Sequence, residues 1–158
     1  TALFIACLSG HVDVVKLLLR KGASVVGRTS GTKVPLHGAA ANGGTEVVEL
    51  LVRHGATLDV RDGFKNTPLM YAAASNHVDT VRRLIELGAR PDITGGQRLI
   101  DVYFLSRKSN LGYTEIVDLL VQHGATVDIR DNWDYTPLMF SFEYQEVDTA
   151  RRLIELGA

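Results

Sequence analysis

Five Gly-Ala pairs punctuate this chain at nearly constant intervals: Gly22-Ala23, Gly55-Ala56, Gly88-Ala89, Gly124-Ala125 and Gly157-Ala158, spaced by 33, 33, 36 and 33 residues. A fixed period of roughly 20–50 residues marks a solenoid or an array. A second marker keeps step with the first: Thr1-Ala2-Leu3, Val34-Pro35-Leu36, Thr67-Pro68-Leu69 and Thr136-Pro137-Leu138, with a degenerate Ile100-Asp101-Val102 in the fourth unit. A unit this short cannot enclose a core of its own, so each must bury its apolar stripe on its neighbours. The boundaries expected are 1–28, 29–61, 62–94, 95–130 and 131–158, one domain of five units, the first of which starts late.

Each unit reads as two short antiparallel helices and a turn. In the third, Thr67 is a suitable N-cap and Pro68 stands where a missing N–H costs nothing. Leu69, Ala72 and Ala73 follow at i, i+3 and i+4 on one face, and Asn76-His77 interrupts the helix. Val78, Val81, Leu84 and Ile85 mark the apolar face of a second helix, which Gly88 closes by taking the left-handed conformation. The stretch from Ala56 to Asn66 carries the Asp, Gly and Asn of turn chemistry.

Thr-Pro-Leu, paired alanines, a Gly-His-like break, Val-x-x-Leu-Leu and Gly-Ala recur in this order, as in TALFIACLSGHVDVVKLLLRKGA and TPLMYAAASNHVDTVRRLIELGA. The pattern resembles the ankyrin repeat, and the resemblance extends over essentially the whole chain. It implies an all-α solenoid of stacked antiparallel helix pairs with β-turn fingers projecting from it. It also implies a scaffold that binds protein partners through finger tips and the concave face of the first helices.

The fourth unit departs from the period, with three extra residues placed near Ser109-Asn110-Leu111, between its helices. Its paired small positions become Leu105-Ser106, and those of the fifth unit become Ser141-Phe142. Overpacking at such positions costs ~1–3 kcal/mol, so both units are expected to shift from ideal stacking.

Residues 45–89 align without gaps to residues 114–158, with 28 identities in 45 positions. The differences gather in two windows. Gly63-Phe64-Lys65-Asn66 becomes Asn132-Trp133-Asp134-Tyr135, and Tyr71 through His77 becomes Phe140 through Glu146. These windows are the finger tip and the first helix with its break, whereas second helices and caps are held by stacking. Freely drifting exposed sites fill with Lys, Glu, Ser and Asn; here they hold Phe64, Trp133, Tyr135 and Tyr144. Aromatic residues are enriched among binding hot spots. The candidate partner-binding residues are therefore Trp133, Tyr135, Tyr144, Phe64, Lys65, Asn66, Arg107 and Asn132, with Trp133 foremost. Internal packing of some of these aromatics is the competing reading.

Charge and composition narrow the partner. Lys plus Arg number 17 and Asp plus Glu 18, a net charge of −1, which disfavours nucleic acid or an anionic membrane. No apolar run approaches the roughly 18 residues of a membrane span. A protein or peptide is the expected partner, and the chain is expected to be an intracellular monomer, or a segment of a longer array. Its lone Cys7 suits a reducing compartment. The alternatives to a binding module are a spacer within such an array and a regulatory domain of an enzyme or channel.

Catalytic chemistry is not expected. His54 and His123 sit just before Gly-Ala at a helix C-terminus, His11 and His77 at the inter-helix break, and His37 after Pro35-Leu36. None forms a metal pair at i, i+4 or a zinc cluster, so neither a metal nor a cofactor is expected. Gly95-Gly96 lacks the continuation of a phosphate loop, and the Ser106-to-Ser109 basic run is too short to identify a modification site. Arg82-Arg83 and Arg151-Arg152, each with a Glu three residues on, read as solvated helix faces.

Overall fold

The computed structural model describes residues 1–26, 32–91, 113–130 and 134–158. Among these residues it contains nine α-helices and no strand: α1 (Ala2–Leu8), α2 (Val12–Arg20), α3 (Pro35–Asn42), α4 (Thr45–Arg53), α5 (Pro68–Ala74), α6 (Val78–Glu86), α7 (Thr114–Gln122), α8 (Pro137–Glu143) and α9 (Val147–Glu155). The insertion near Ser109-Asn110-Leu111 and the first helix expected of the fourth unit lie outside the described residues.

The start of each first helix is written in the Thr-Pro-Leu signal. The hydroxyls of Thr1, Thr67 and Thr136 accept the amide hydrogens of Phe4, Met70 and Met139 at 3.2, 3.4 and 3.3 Å. In the second unit Val34 stands in the threonine slot, and His37 Nδ1 accepts the Val34 amide at 3.0 Å. Met70, one unit on, does the same for Thr67 through its sulfur at 3.3 Å.

Between first and second helices one residue takes the left-handed conformation: Gly10, Gly43, Asn76 and Gln145 in successive described units, with φ of 71°, 77°, 57° and 57°. Gly43 is needed there twice over, because a Cβ would also lie 2.6 Å from Nδ1 of His77.

The helices form two layers. α1, α3 and α5 lie side by side in one; α2, α4, α6, α7 and α9 follow in order in the other. Small residues permit the first layer: Ala39, Ala40, Ala72 and Ala73 are fully buried, and a Cβ on Gly38 would sit 3.1 Å from the Phe4 carbonyl oxygen. Leu36, Leu51, Leu69, Leu84, Leu120 and Leu153 fill the space between layers. Each such side chain stabilises the stack by ~2–3 kcal/mol through burial. In the fifth unit Ser141 is buried and donates to the Leu138 carbonyl at 2.7 Å, while Phe142 stands exposed in the slot of Ala73.

The paired arginines are more than a solvated face. Arg83 Nε reaches Glu49 on α4 at 2.8 Å and Arg82 Nη2 reaches Glu115 on α7 at 2.7 Å, on either side of the third unit. Lys16 to Glu46 at 2.7 Å and Arg152 to Asp118 at 2.5 Å complete a ladder between successive second helices. The sequence offers the intrahelical partners, and Arg83–Glu86 and Arg152–Glu155 do form at 2.9 Å, but the stacking register adds the cross-repeat ones.

Candidate partner-binding surface

The finger entering α5 is held by one carboxylate. Asp62 Oδ1 accepts the amides of Phe64 and Asn66 at 2.9 and 3.0 Å, and Oδ2 accepts the Tyr71 hydroxyl at 2.7 Å. Main-chain bonds close the same turn, Asp62 N–H to the Asn66 carbonyl at 3.0 Å and Lys65 N–H to the Asp62 carbonyl at 2.9 Å. Burial alone would raise the Asp62 pKa, but the bonds from Tyr71, Asn66 and Phe64 outweigh it and hold the carboxyl below its ordinary value.

A second lock comes from the preceding unit. Because His37 Nδ1 accepts from Val34, the neutral ring carries its proton on Nε2, which donates to the Asn66 carbonyl at 3.1 Å. Burial pushes the His37 pKa down, so that tautomer persists at neutral pH. The Tyr71 ring meets His37 edge-on with centroids 5.5 Å apart, and Lys33 Nζ lies 4.7 Å from the centre of the Tyr71 ring.

This frame presents Phe64 at the tip, 74 % exposed, beside exposed Lys65 in a left-handed conformation (φ 65°). A non-glycine residue there is uncommon, and the closed turn imposes it. Asp134 holds the same slot in the fifth unit at φ 69° and pairs with Arg130 at 2.6 Å.

The eight sequence candidates separate by place. Phe64 and Lys65 project from the tip, but Asn66 is half-buried and its backbone serves the frame. Tyr135 is exposed and packs at 5.2 Å, tilted, on the ring of buried Phe140, so packing and exposure coexist in it. Tyr144 is exposed at the C-cap of α8, the end of that helix away from its finger. Trp133, Asn132 and Arg107 lie outside the described residues. Sequence reasoning did not single out Tyr71 as the partner of Asp62 and Lys33. Its hydroxyl, absent from Phe140 in the duplicate, is the signal that distinguishes the two windows.

Three of the other histidines have backbone partners. His54 Nδ1 donates to the Leu50 carbonyl at 2.8 Å, His123 Nδ1 to Leu119 at 2.7 Å and His77 Nε2 to Ala41 at 3.1 Å. Cys7 is fully buried, and burial raises its thiol pKa to about 12. Among the described residues, no group of three or more His, Cys, Asp and Glu is placed to hold a metal ion, and no helix is long and apolar enough to cross a membrane.

No curated protein matches the sequence. Residues 3–95 match the family described as ankyrin repeats (3 copies), and residues 107–132 match the ankyrin repeat. With caps, left-handed breaks and two helix layers in the same phase as those matches, the chain belongs to the ankyrin-repeat family.

Proposed function

We propose that this chain is a non-catalytic interaction module that binds a protein or peptide through its finger tips and the concave face of its first helices. Ankyrin repeats are generally protein–protein interaction modules. The observation that carries the reading here is Phe64: a large apolar side chain left exposed on a turn pinned by five bonds to its main chain and a tyrosine hydroxyl. Such a tip loses little conformational freedom on binding, which converts contact into affinity. Lys33 and Tyr71 extend the same surface onto α5, with a cation and an aromatic ring that suit an extended peptide carrying an apolar anchor and an acidic group. Tyr135, Tyr144, Trp133, Asn132 and Arg107 are proposed to continue this surface along the fourth and fifth units.

The test is selection of ligands from a displayed peptide library, followed by titration against Phe64→Ala and Tyr135→Ala. Phe64→Ala is expected to weaken selected ligands at least tenfold, as hot-spot truncations do, with an unchanged thermal melt. Ligands that bind both variants as tightly as the parent would refute the assignment.

A further inference from the structure

The two copies of the duplicated segment differ in the charge of their outward windows. α9 repeats α6 at every position but one. Yet Lys65 gives way to Asp134, Ala74 to Glu143 and His77 to Glu146, three changes in the same direction. Around the third finger the open charges are basic. Lys65 is exposed beside Phe64, and Lys33 is exposed over the Tyr71 ring. Neither has a carboxylate partner among the described residues, because the amides of Phe64 and Asn66 and the Tyr71 hydroxyl already occupy Asp62.

At the helix break of the fifth unit the open charges are acidic. Glu143 ends α8, Tyr144 caps it and Glu146 caps α9. Glu143 is exposed and makes no ion pair among the described residues. Oε2 of half-buried Glu146 has no hydrogen-bond partner among them, whereas His77, in the same slot, donates to the Ala41 carbonyl at 3.1 Å. Asp134 is matched by Arg130 at 2.6 Å, so the acidic pole lies on the break and not at the tip. These slots face outward inside the stack as well. In the second unit, which has α1 on one side and α5 on the other, Asn42 in the slot of Tyr144 is exposed and Ala41 in the slot of Glu143 is half-buried.

We infer that the partner is an extended protein segment whose charges come in a fixed order. Its acidic and apolar residues lie at the second and third units, against Lys33, Lys65 and Phe64. Its basic residue lies at the fifth, against Glu143, Glu146 and the ring of Tyr144. This order rests on the interaction-module reading and adds a polarity to it. A cation beside a carboxylate and over a tyrosine ring is attracted by both. α6, α7 and α9 stack in sequence, so the two poles are two repeat steps apart, about 16–20 Å at roughly 8–10 Å per pair of packed helices. An extended chain covers that distance in about five or six residues at ~3.3 Å each. A segment laid the other way sets its acid against Glu143 and its base against Lys33 and Lys65, and like charges reject it.

Random linear peptides displayed on phage and selected on the chain test this. Selected sequences are expected to carry Asp or Glu beside an apolar residue, and Lys or Arg at least about five residues away. The same peptides synthesised with acidic and basic residues exchanged are expected to bind the unaltered protein roughly tenfold more weakly. Lys65→Asp puts in the third finger the residue that the fifth holds at φ 69°. It is expected to weaken the selected peptides roughly tenfold and to favour versions whose acidic residue is changed to lysine. Glu143→Ala, matching Ala74 of the third unit, is expected to weaken them by a similar factor and to abolish the preference for a basic residue. Each variant's melt is recorded to exclude misfolding. Ligands that depend on Phe64 but lack this order, or that tolerate the exchange of charges and both substitutions, would overturn the charge order and leave the interaction module standing. No selected ligand at all would overturn both.

Discussion

Replacing Asp62 by alanine removes the acceptor on which three donors converge, the amides of Phe64 and Asn66 and the hydroxyl of Tyr71, at 2.9, 3.0 and 2.7 Å. A hydrogen bond to a charged group contributes about 1.5–3 kcal/mol, and leaving a buried donor unmet costs the same order. Three such bonds would sum to about 4.5–9 kcal/mol, but Phe64 is at the surface and its turn recovers water once the carboxylate is gone. The expected loss is therefore about 2–4 kcal/mol. With a urea m-value of about 1–3 kcal/mol/M, the midpoint falls by roughly 1–2 M. Asp62→Asn is the control. Its amide oxygen still accepts both backbone hydrogens, and Tyr71 must redirect its hydroxyl, a loss of about 1 kcal/mol. Far-ultraviolet dichroism against urea reads both. A loss below about 0.5 kcal/mol for Asp62→Ala, or equal losses for the two variants, would mean that the carboxylate does not organise the finger.

Three further outcomes follow from the same geometry. Gly43→Ala meets both a left-handed backbone and the His77 ring 2.6 Å away, so its melt is expected to reflect a loss of about 2–4 kcal/mol; Gly55→Ala, at φ 87° in open space, is expected to lose only about 1 kcal/mol. His37 has its folded pKa lowered by burial, so its contribution is complete above the unfolded value of about 6.5 and is lost as pH falls. Urea midpoints are expected to drop between about pH 7.5 and 5 in the parent, and the drop to shrink in His37→Met, which keeps an acceptor for Val34 as Met70 does for Thr67. The Cys7 thiol, with a pKa of about 12 and no exposure, is expected to react with a disulfide reagent only at the rate of unfolding.

What the sequence discloses here is whatever is decided within one repeat. Thr67-Pro68 names a helix start because cap donor and acceptor are three residues apart, and Gly43 and Gly88 name breaks because their own backbone demands it. The finger frame is less accessible, since His37 and Asn66 are 29 residues apart and meet only once two repeats are stacked. For that reason Asn66 reads as a tip residue from its position, yet its backbone is an anchor. Arg82 and Arg83 read as solvated because their neighbours in sequence satisfy them on paper. Which of them reaches forward to Glu115 and which backward to Glu49 is settled by the offset between adjacent helices.

That offset gives the duplication a physical unit of two repeats. The slot of Lys16 is filled in turn by Lys16, Glu49, Arg82, Asp118 and Arg151. When basic, it reaches forward to an acid in the first turn of the next second helix, as Lys16 does to Glu46 and Arg82 to Glu115. When acidic, it accepts from an arginine four positions further along that helix, as Glu49 does from Arg83 and Asp118 from Arg152. A duplication of the second unit alone would set Glu49 against a helix that has Leu50 in place of that arginine. An offset of 69 residues, two units with the insertion, keeps each pairing type in its place across the 45 aligned positions. The alternation then binds second helices to their order in the stack, while the tips at Phe64 and Tyr135 contribute nothing to it and are open to diverge. Stacking and the proposed recognition surface are thereby written on different residues of the same repeat.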